Sequence, residues 1–341
     1  MFSVGVHAPG SLSYHQLMKR TSPLPVLCVG LTPALQEVRV FASIEMGGVN
    51  RCLSVGQSAA GKGTNAAHVL KTLGHEAVLT GFVGGATGSL FRRDLTALGI
   101  RSAFVKTAAP TRVCVTLIER DSKRATELVE ESALPSLREW QTFYRTFNRL
   151  ISRAGLLTLT GALMPGAPPT VYRDLAGLAA RRQIPTIIDS QKAPLLDALV
   201  HRPLLVKLNV RELESTLAST IVSPSEIVAG ARELLARGAV HALVTHGEHG
   251  AWLVAPAAAW HYASPRVTVC NPIGSGDAVT GGIAFGLHRQ HTLLEAVRLG
   301  IACGAANVLT PLPGLVRQQD VKRLLPKTTF CVVQGKGHGA N

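Results

Sequence analysis

Residues Asn271 to Gly282 read Asn-Pro-Ile-Gly-Ser-Gly-Asp-Ala-Val-Thr-Gly-Gly, a combination suited to moving a phosphoryl group. The β-branched run Arg266 to Cys270 reads as a strand, and the apolar, proline-free run Ala278 to Leu287 as a buried helix. Gly274, Ser275 and Gly276 form the turn between them. The glycines can take backbone angles closed to other residues, and N–H groups at a helix N-terminus stabilise a developing anion. Asp277 falls in the first turn of the helix. A carboxylate there stabilises the helix by itself; beside an anion-holding turn it can also take the proton of an attacking hydroxyl.

A second glycine stretch, Gly56 to Gly63, spells Gly-x-x-x-x-Gly-Lys-Gly. It is one residue short of a P-loop, because Gly63 stands where a hydroxyl should reach magnesium and Thr64 comes one place late. Ala60-Gly61-Lys62-Gly63 suits a flexible hinge whose ammonium holds a substrate phosphate, or a plain turn before a helix from Ala66 to Leu73. Asn209 and Glu212, as Asn-x-x-Glu, also fit a helix cap with its reciprocal glutamate. Arg112, ahead of the alternating strand Val113 to Leu117, is either an exposed strand charge or an anion contact.

These residues need a scaffold, and the chain supplies alternating strands and helices. Buried strands are expected at Pro25 to Leu31, Ala77 to Val83, Leu156 to Thr160, Thr186 to Asp189, Leu204 to Leu208, Ala242 to Thr245 and Ala251 to Val254. Helices are expected at 90–98, 134–154, 169–182, 211–219 and 225–237. The alternation predicts an α/β fold with a mostly parallel sheet covered on both faces, and ligands beyond the carboxyl ends of its strands. Thr32 to Gln36 reads as a loop. Short strands around Gly47-Gly48, with the strand after Arg112, predict a small β lid at about 36–57 and 101–118.

Composition narrows the classes. The 341 residues are 46% hydrophobic and 16% charged, enough for one large core at 25–329, with a loose extension at 1–24 and a flexible tail at 330–341. Six scattered cysteines without a C-x-x-C pair point to reduced, buried thiols in a cytoplasmic protein, and the 12 histidines give no metal pattern. No apolar run reaches the ~18 residues of a membrane span. A net charge of +14 suits phosphorylated substrates and nucleotides, while 5% aromatics and no aromatic-interleaved basic block argue against nucleic-acid binding.

At this point a family resemblance becomes specific. Ala60-Gly61-Lys62-Gly63-Thr64-Asn65 and Asn271 to Ala284 resemble the two signatures of the PfkB (ribokinase-like) carbohydrate kinases. Lys207-Leu208-Asn209-Val210-Arg211-Glu212 resembles the family's Asn-x-x-Glu motif, and Leu159 to Gly166 its Ser-Gly-Ser-Leu-Pro-Pro-Gly loop. The likeness runs from about Val26 to Leu325, and implies a ribokinase-like three-layer α/β/α fold and ATP-dependent phosphorylation of a sugar hydroxyl.

The resemblance also implies roles. Asp277 would be the base and Gly274, Ser275 and Gly276 the anion hole, while Asn209 and Glu212 would organise Mg2+ through water. Gly61, Lys62, Asn65 and Gln36 would face the substrate. Lys62 and Arg112 would grip a phosphate already on it, as in the 1-phosphofructokinase and tagatose-6-phosphate kinase branch. Asn209, Thr245, Gly247, Gly250 and Asn307 would bind the nucleotide, and lid strands would pair two subunits into a homodimer.

Three positions depart from the family. Its Asn-Pro-Ala-x-Asp becomes Thr32-Pro33-Ala34-Leu35-Gln36, its hinge glycine becomes Ala60, and its lid Asn-Glu-Pro-Gly becomes Val129-Glu130-Glu131-Ser132. Gln36 can bond hydroxyls but supplies no negative charge. Fructose 1-phosphate and tagatose 6-phosphate lead as substrates. The alternatives are fructose 6-phosphate, an unphosphorylated sugar, a nucleoside, or a non-catalytic sugar-phosphate-binding regulator on the same fold.

Overall fold

The computed structural model describes residues 24–333. Strands in chain order are Val26–Gly30 (β1), Ala34–Phe41 (β2), Ser54–Ala60 (β3), Ala77–Thr80 (β4), Phe82–Gly84 (β5), Arg101–Ser102 (β6), Val105–Thr107 (β7), Arg112–Glu119 (β8), Arg124–Val129 (β9), Leu156–Thr160 (β10), Thr186–Asp189 (β11), Leu205–Asn209 (β12), Ala242–Thr245 (β13), Ala251–Val254 (β14), Ala259–Tyr262 (β15) and Phe330–Val332 (β16). Helices are Lys62–Thr72 (α1), Gly85–Ala97 (α2), Leu137–Ile151 (α3), Val171–Ala180 (α4), Lys192–Ala198 (α5), Val210–Leu217 (α6), Pro224–Ala236 (α7), Ser275–His288 (α8), Leu293–Asn307 (α9) and Gln318–Leu324 (α10).

Among the described residues the central sheet has ten strands in the order β16-β15-β14-β13-β12-β11-β10-β1-β4-β6. Pairs from β13 to β6 are parallel, and the β13 to β16 edge is antiparallel. Strands buried on both sides need apolar residues at every position, and Val26–Gly30 and Leu156–Thr160 are buried throughout. Leu27, Val29, Leu157 and Leu159 face one apolar layer with Phe143, Phe147, Tyr172, Leu213 and Leu234 of α3, α4, α6 and α7. Val26, Cys28 and Leu156 face the other, with Leu70, Phe91, Ile283 and Val297 of α1, α2, α8 and α9. The result is the expected three-layer α/β/α arrangement.

A separate four-stranded sheet, β3-β2-β8-β9, forms the lid. It is larger than expected and differently bounded. Thr32 to Gln36 is no loop, since β2 already starts at Ala34 and pairs with β3 on one side and β8 on the other. Residues 101–107 lie outside the lid: β6 pairs with β4 in the central sheet and β7 with β5. The exposed strand β9 completes it.

Other expectations also shift. Arg266 to Cys270 is not a strand; after β15 the chain runs as an extended loop whose Cys270 N–H bonds Val308 O at the end of α9. The first-signature helix begins at Lys62 instead of Ala66, so Lys62 and Asn65 are helical residues. The expected tail begins inside β16, and residues 1–23 and 334–341 lie outside the described residues. Cys28, Cys114 and Cys303 are buried, whereas Cys52, Cys270 and Cys331 are exposed, and all six are unpaired. No helix of the described residues is long and apolar enough to cross a membrane.

Candidate active site

The site assembles where α1, α6 and α8 begin. Gly274 caps α8 with φ 80°, a left-handed conformation, and a Cβ there would stand 2.8 Å from Pro313 Cβ and 2.9 Å from Gly314 N. Two asparagines clamp this turn. Asn271 Oδ1 accepts from Ile273 N (3.0 Å) while its Nδ2 donates to Pro311 O (2.7 Å). Asn307 Nδ2 donates to Ile273 O (2.9 Å), and Asn307 Oδ1 accepts from Gly314 N (2.7 Å).

Asp277, in the first turn of α8, is 8% exposed and accepts a 2.7 Å bond from Asn65 Nδ2. Burial pushes its pKa up to about 6; Lys62 opposes that shift and Asp189 adds to it. Lys62 Nζ lies 3.0 Å from Glu212 Oε1 and 3.2 Å from Asp189 Oδ1. Although burial works against its charge, Asp189, Glu212 and Asp277 hold its pKa above the ordinary lysine range. The ammonium expected to meet a substrate phosphate is therefore held between Asp189 and the Asn-x-x-Glu carboxylate, Glu212.

Asp189 is the anchor of this group. Fully buried at the end of β11, it accepts from Lys207 Nζ (2.9 Å) and Thr280 Oγ1 (2.7 Å). Its burial disfavours ionisation, but Lys207 and Lys62 outweigh that and hold it well below the usual carboxylate range. A Cβ built on Gly276 would lie 3.1 Å from Lys207 Nζ, so a second buried ammonium stands against the glycine turn. Lys207 and Asp189 are not among the site residues expected from the sequence. Their signal is a charged residue within Leu-Val-Lys-Leu-Asn and at the end of Thr-Ile-Ile-Asp, strands whose other residues are mostly apolar and, apart from Asn209, buried.

Asn209 and Glu212 form a true capping box: Glu212 N–H donates to Asn209 Oδ1 (2.9 Å), and Asn209 N–H donates to Glu212 Oε2 (2.8 Å). Both line the smaller of two adjoining cavities, about 460 Å³, with Asp277, Lys62, Gly61, Asn65, Gln36 and Arg112. Gln36 is 3% exposed and its Nε2 donates to Thr116 Oγ1 (2.8 Å). Arg112 donates to Thr32 O (3.0 Å) and Glu130 O (2.9 Å), and its buried Nε has no partner.

The larger cavity, about 840 Å³, has apolar walls from Val267, Val269, Val279, Ile301 and Val308. Thr245, Gly247, Pro272, Ser275 and Gly276 line both cavities, so the glycine turn is their shared wall. Gly250 lines the larger one. Asn307 lines neither: it is wholly buried, its amide spent on the turn and Gly314, while Gly304 and Ala305 of α9 face the cavity instead.

The chain belongs to the pfkB family of carbohydrate kinases, whose sequence profile matches residues 25–318. It is thus a phosphotransferase. It is similar to 1-phosphofructokinase of Escherichia coli (strain K12), with 29% identity over 303 residues, 89% of this chain and 96% of that one. Tagatose-6-phosphate kinase of Staphylococcus epidermidis is 27% identical over 292 residues, 85% of this chain and 94% of its own. Phosphofructokinase-2 from Escherichia coli, solved in complex with potassium, superposes with a TM-score of 0.82 at 25% identity over 89% of this chain and 99% of that chain.

Proposed function

We propose that the protein transfers the γ-phosphoryl of ATP to a hydroxyl of a phosphorylated ketohexose, with fructose 1-phosphate or tagatose 6-phosphate as the substrate. The carrying observation is the start of α8, Ser275 and Gly276, on the wall between an apolar, nucleotide-sized cavity and a smaller one that Asp277 lines. A sugar in the polar cavity offers its hydroxyl to Asp277, which takes the proton as oxygen bonds to phosphorus and the bond to the ADP oxygen breaks. N–H groups of Gly274 and Gly276, with that of Ser275 once it gives up its long bond to Pro272 O (3.3 Å), meet the charge on the transferring group. Lys207 neutralises that charge from behind Gly276, and Lys62 does so from the cavity side as it leaves Asp189 and Glu212. Arg112 supports the reading that the substrate carries its own phosphate, because its buried, unpartnered Nε belongs to a cation lining the sugar side.

Magnesium fits this donor set only in part. Among the described residues no group of three acids, histidines or cysteines could enclose a metal, and both Glu212 oxygens already accept bonds. Asn209 and Glu212 would hold a hydrated Mg2+ whose other ligands are water and nucleotide phosphates, and the ion would supply charge neutralisation there. Two copies pairing through their lids also fit: Val55 and Leu128, on the lid face turned from the cavity, are 63% and 53% exposed.

A coupled ADP-release assay over fructose 1-phosphate, tagatose 6-phosphate, fructose 6-phosphate, fructose, ribose and adenosine tests the substrate. Asp277→Asn should lower kcat by roughly a thousandfold or more while ATP affinity stays within about threefold. Substantial residual turnover would remove Asp277 from the role of base.

A further inference from the structure

The smaller cavity holds one acid that none of these roles uses. Glu127 lies on β9 directly across from Thr116 on β8, and Cys114 on β8 is in register with Gln36 on β2 and Val129 on β9. Paired residues share a face of a sheet, so Gln36, Arg112, Cys114, Glu127 and Val129 form one lid surface, and that surface is the cavity wall. Of the three acids lining the cavity, Asp277 is bonded to Asn65, and Glu212 to Lys62 and the Asn209 backbone. Glu127 is exposed and its carboxylate has no hydrogen bond or salt bridge among the described residues, with Arg112 the cation in electrostatic reach.

Gln36 leaves a gap that this acid can fill. Its amide nitrogen is committed to Thr116 Oγ1 and to Glu37 O (3.3 Å), so toward the cavity it offers at most one neutral oxygen. A polyhydroxylated substrate arrives rich in O–H donors, and a carboxylate accepts two of them in charge-assisted bonds. We infer that Glu127 is a specificity-determining residue, its carboxylate accepting hydrogen bonds from sugar hydroxyls and so supplying from β9 the acid that position 36 lacks. This rests on the smaller cavity being the sugar site.

The sign of one measurement separates this role from its opposite. Steady-state kinetics would compare wild type, Glu127→Gln and Glu127→Ala with MgATP and the sugar phosphate that wild type prefers. A hydroxyl-binding carboxylate predicts that KM for the sugar phosphate rises roughly tenfold or more in both variants, while KM for ATP stays within about twofold. An acid that merely opposes Arg112 predicts the reverse, because its loss would strengthen the hold on the substrate phosphate. A KM that falls or stays level overturns the inference. Glu127 is exposed on a lid strand, so Glu127→Gln should keep the wild-type melting temperature, which excludes misfolding as the cause. Wild type inert toward every sugar phosphate would defeat the sugar-phosphate reading on which this rests; active wild type with unmoved Glu127 variants defeats this inference alone.

Discussion

Asp277 works through its surroundings. A carboxyl with a pKa near 6 is ionised at neutral pH yet basic enough to take a proton. With Asp277 as the proposed base its ionised form would be the active one, so kcat/KM, which reports the ligand-free enzyme, should be level above about pH 7 and fall about tenfold per unit well below pH 6. Lys62 holds that pKa down, so Lys62→Met should move the acid limb of kcat/KM to higher pH as well as lowering kcat. A limb that stays in place while KM for the sugar phosphate rises would return Lys62 to a phosphate grip. The glycine turn and Asp277 were legible in the sequence because their chemistry is local, within one strand-turn-helix connection. Asp189 and Lys207 were not, because their meaning arises only when β11, β12 and α8 are brought side by side.

At the scale of elements, the arrangement is a convergence of helix beginnings. Gly61, Asn209 and Gly274 cap α1, α6 and α8, and all three line the same cavity, so three partial positive charges support one anion-handling site. Asn307 holds the turn of α8 from behind. Asn307→Leu leaves Ile273 O and Gly314 N without their partner, and should lower unfolding free energy in urea by roughly 2–4 kcal/mol, with kcat reduced as well. A loss of stability with unchanged kcat would show that the turn keeps its geometry without the clamp. Strand and helix alternation was readable because buried parallel strands are continuous apolar runs. The edges were not: β9 is mostly exposed and only half apolar, and β16 has three residues. Arg266 to Cys270 has strand-like residues but no neighbouring strand to pair with.

For the whole molecule, the lid is the part that two copies would share. Val55→Arg with Leu128→Arg should convert a dimer to a monomer in light scattering behind size exclusion, and a wild-type monomer at micromolar concentration would defeat the pairing. Gln36, Arg112 and Glu127 on the lid's other face, beside Asp277, mean that such pairing would also steady the sugar side of the site. The shared wall of Thr245, Gly247, Pro272, Ser275 and Gly276 has a consequence for inhibition. If the proposed nucleotide and sugar phosphate lie on either side of this thin turn, a compound joining the two through a short phosphate bridge would occupy both cavities at once. Its second half would bind at a high effective concentration, and its selectivity among kinases of this family would come from the lid side.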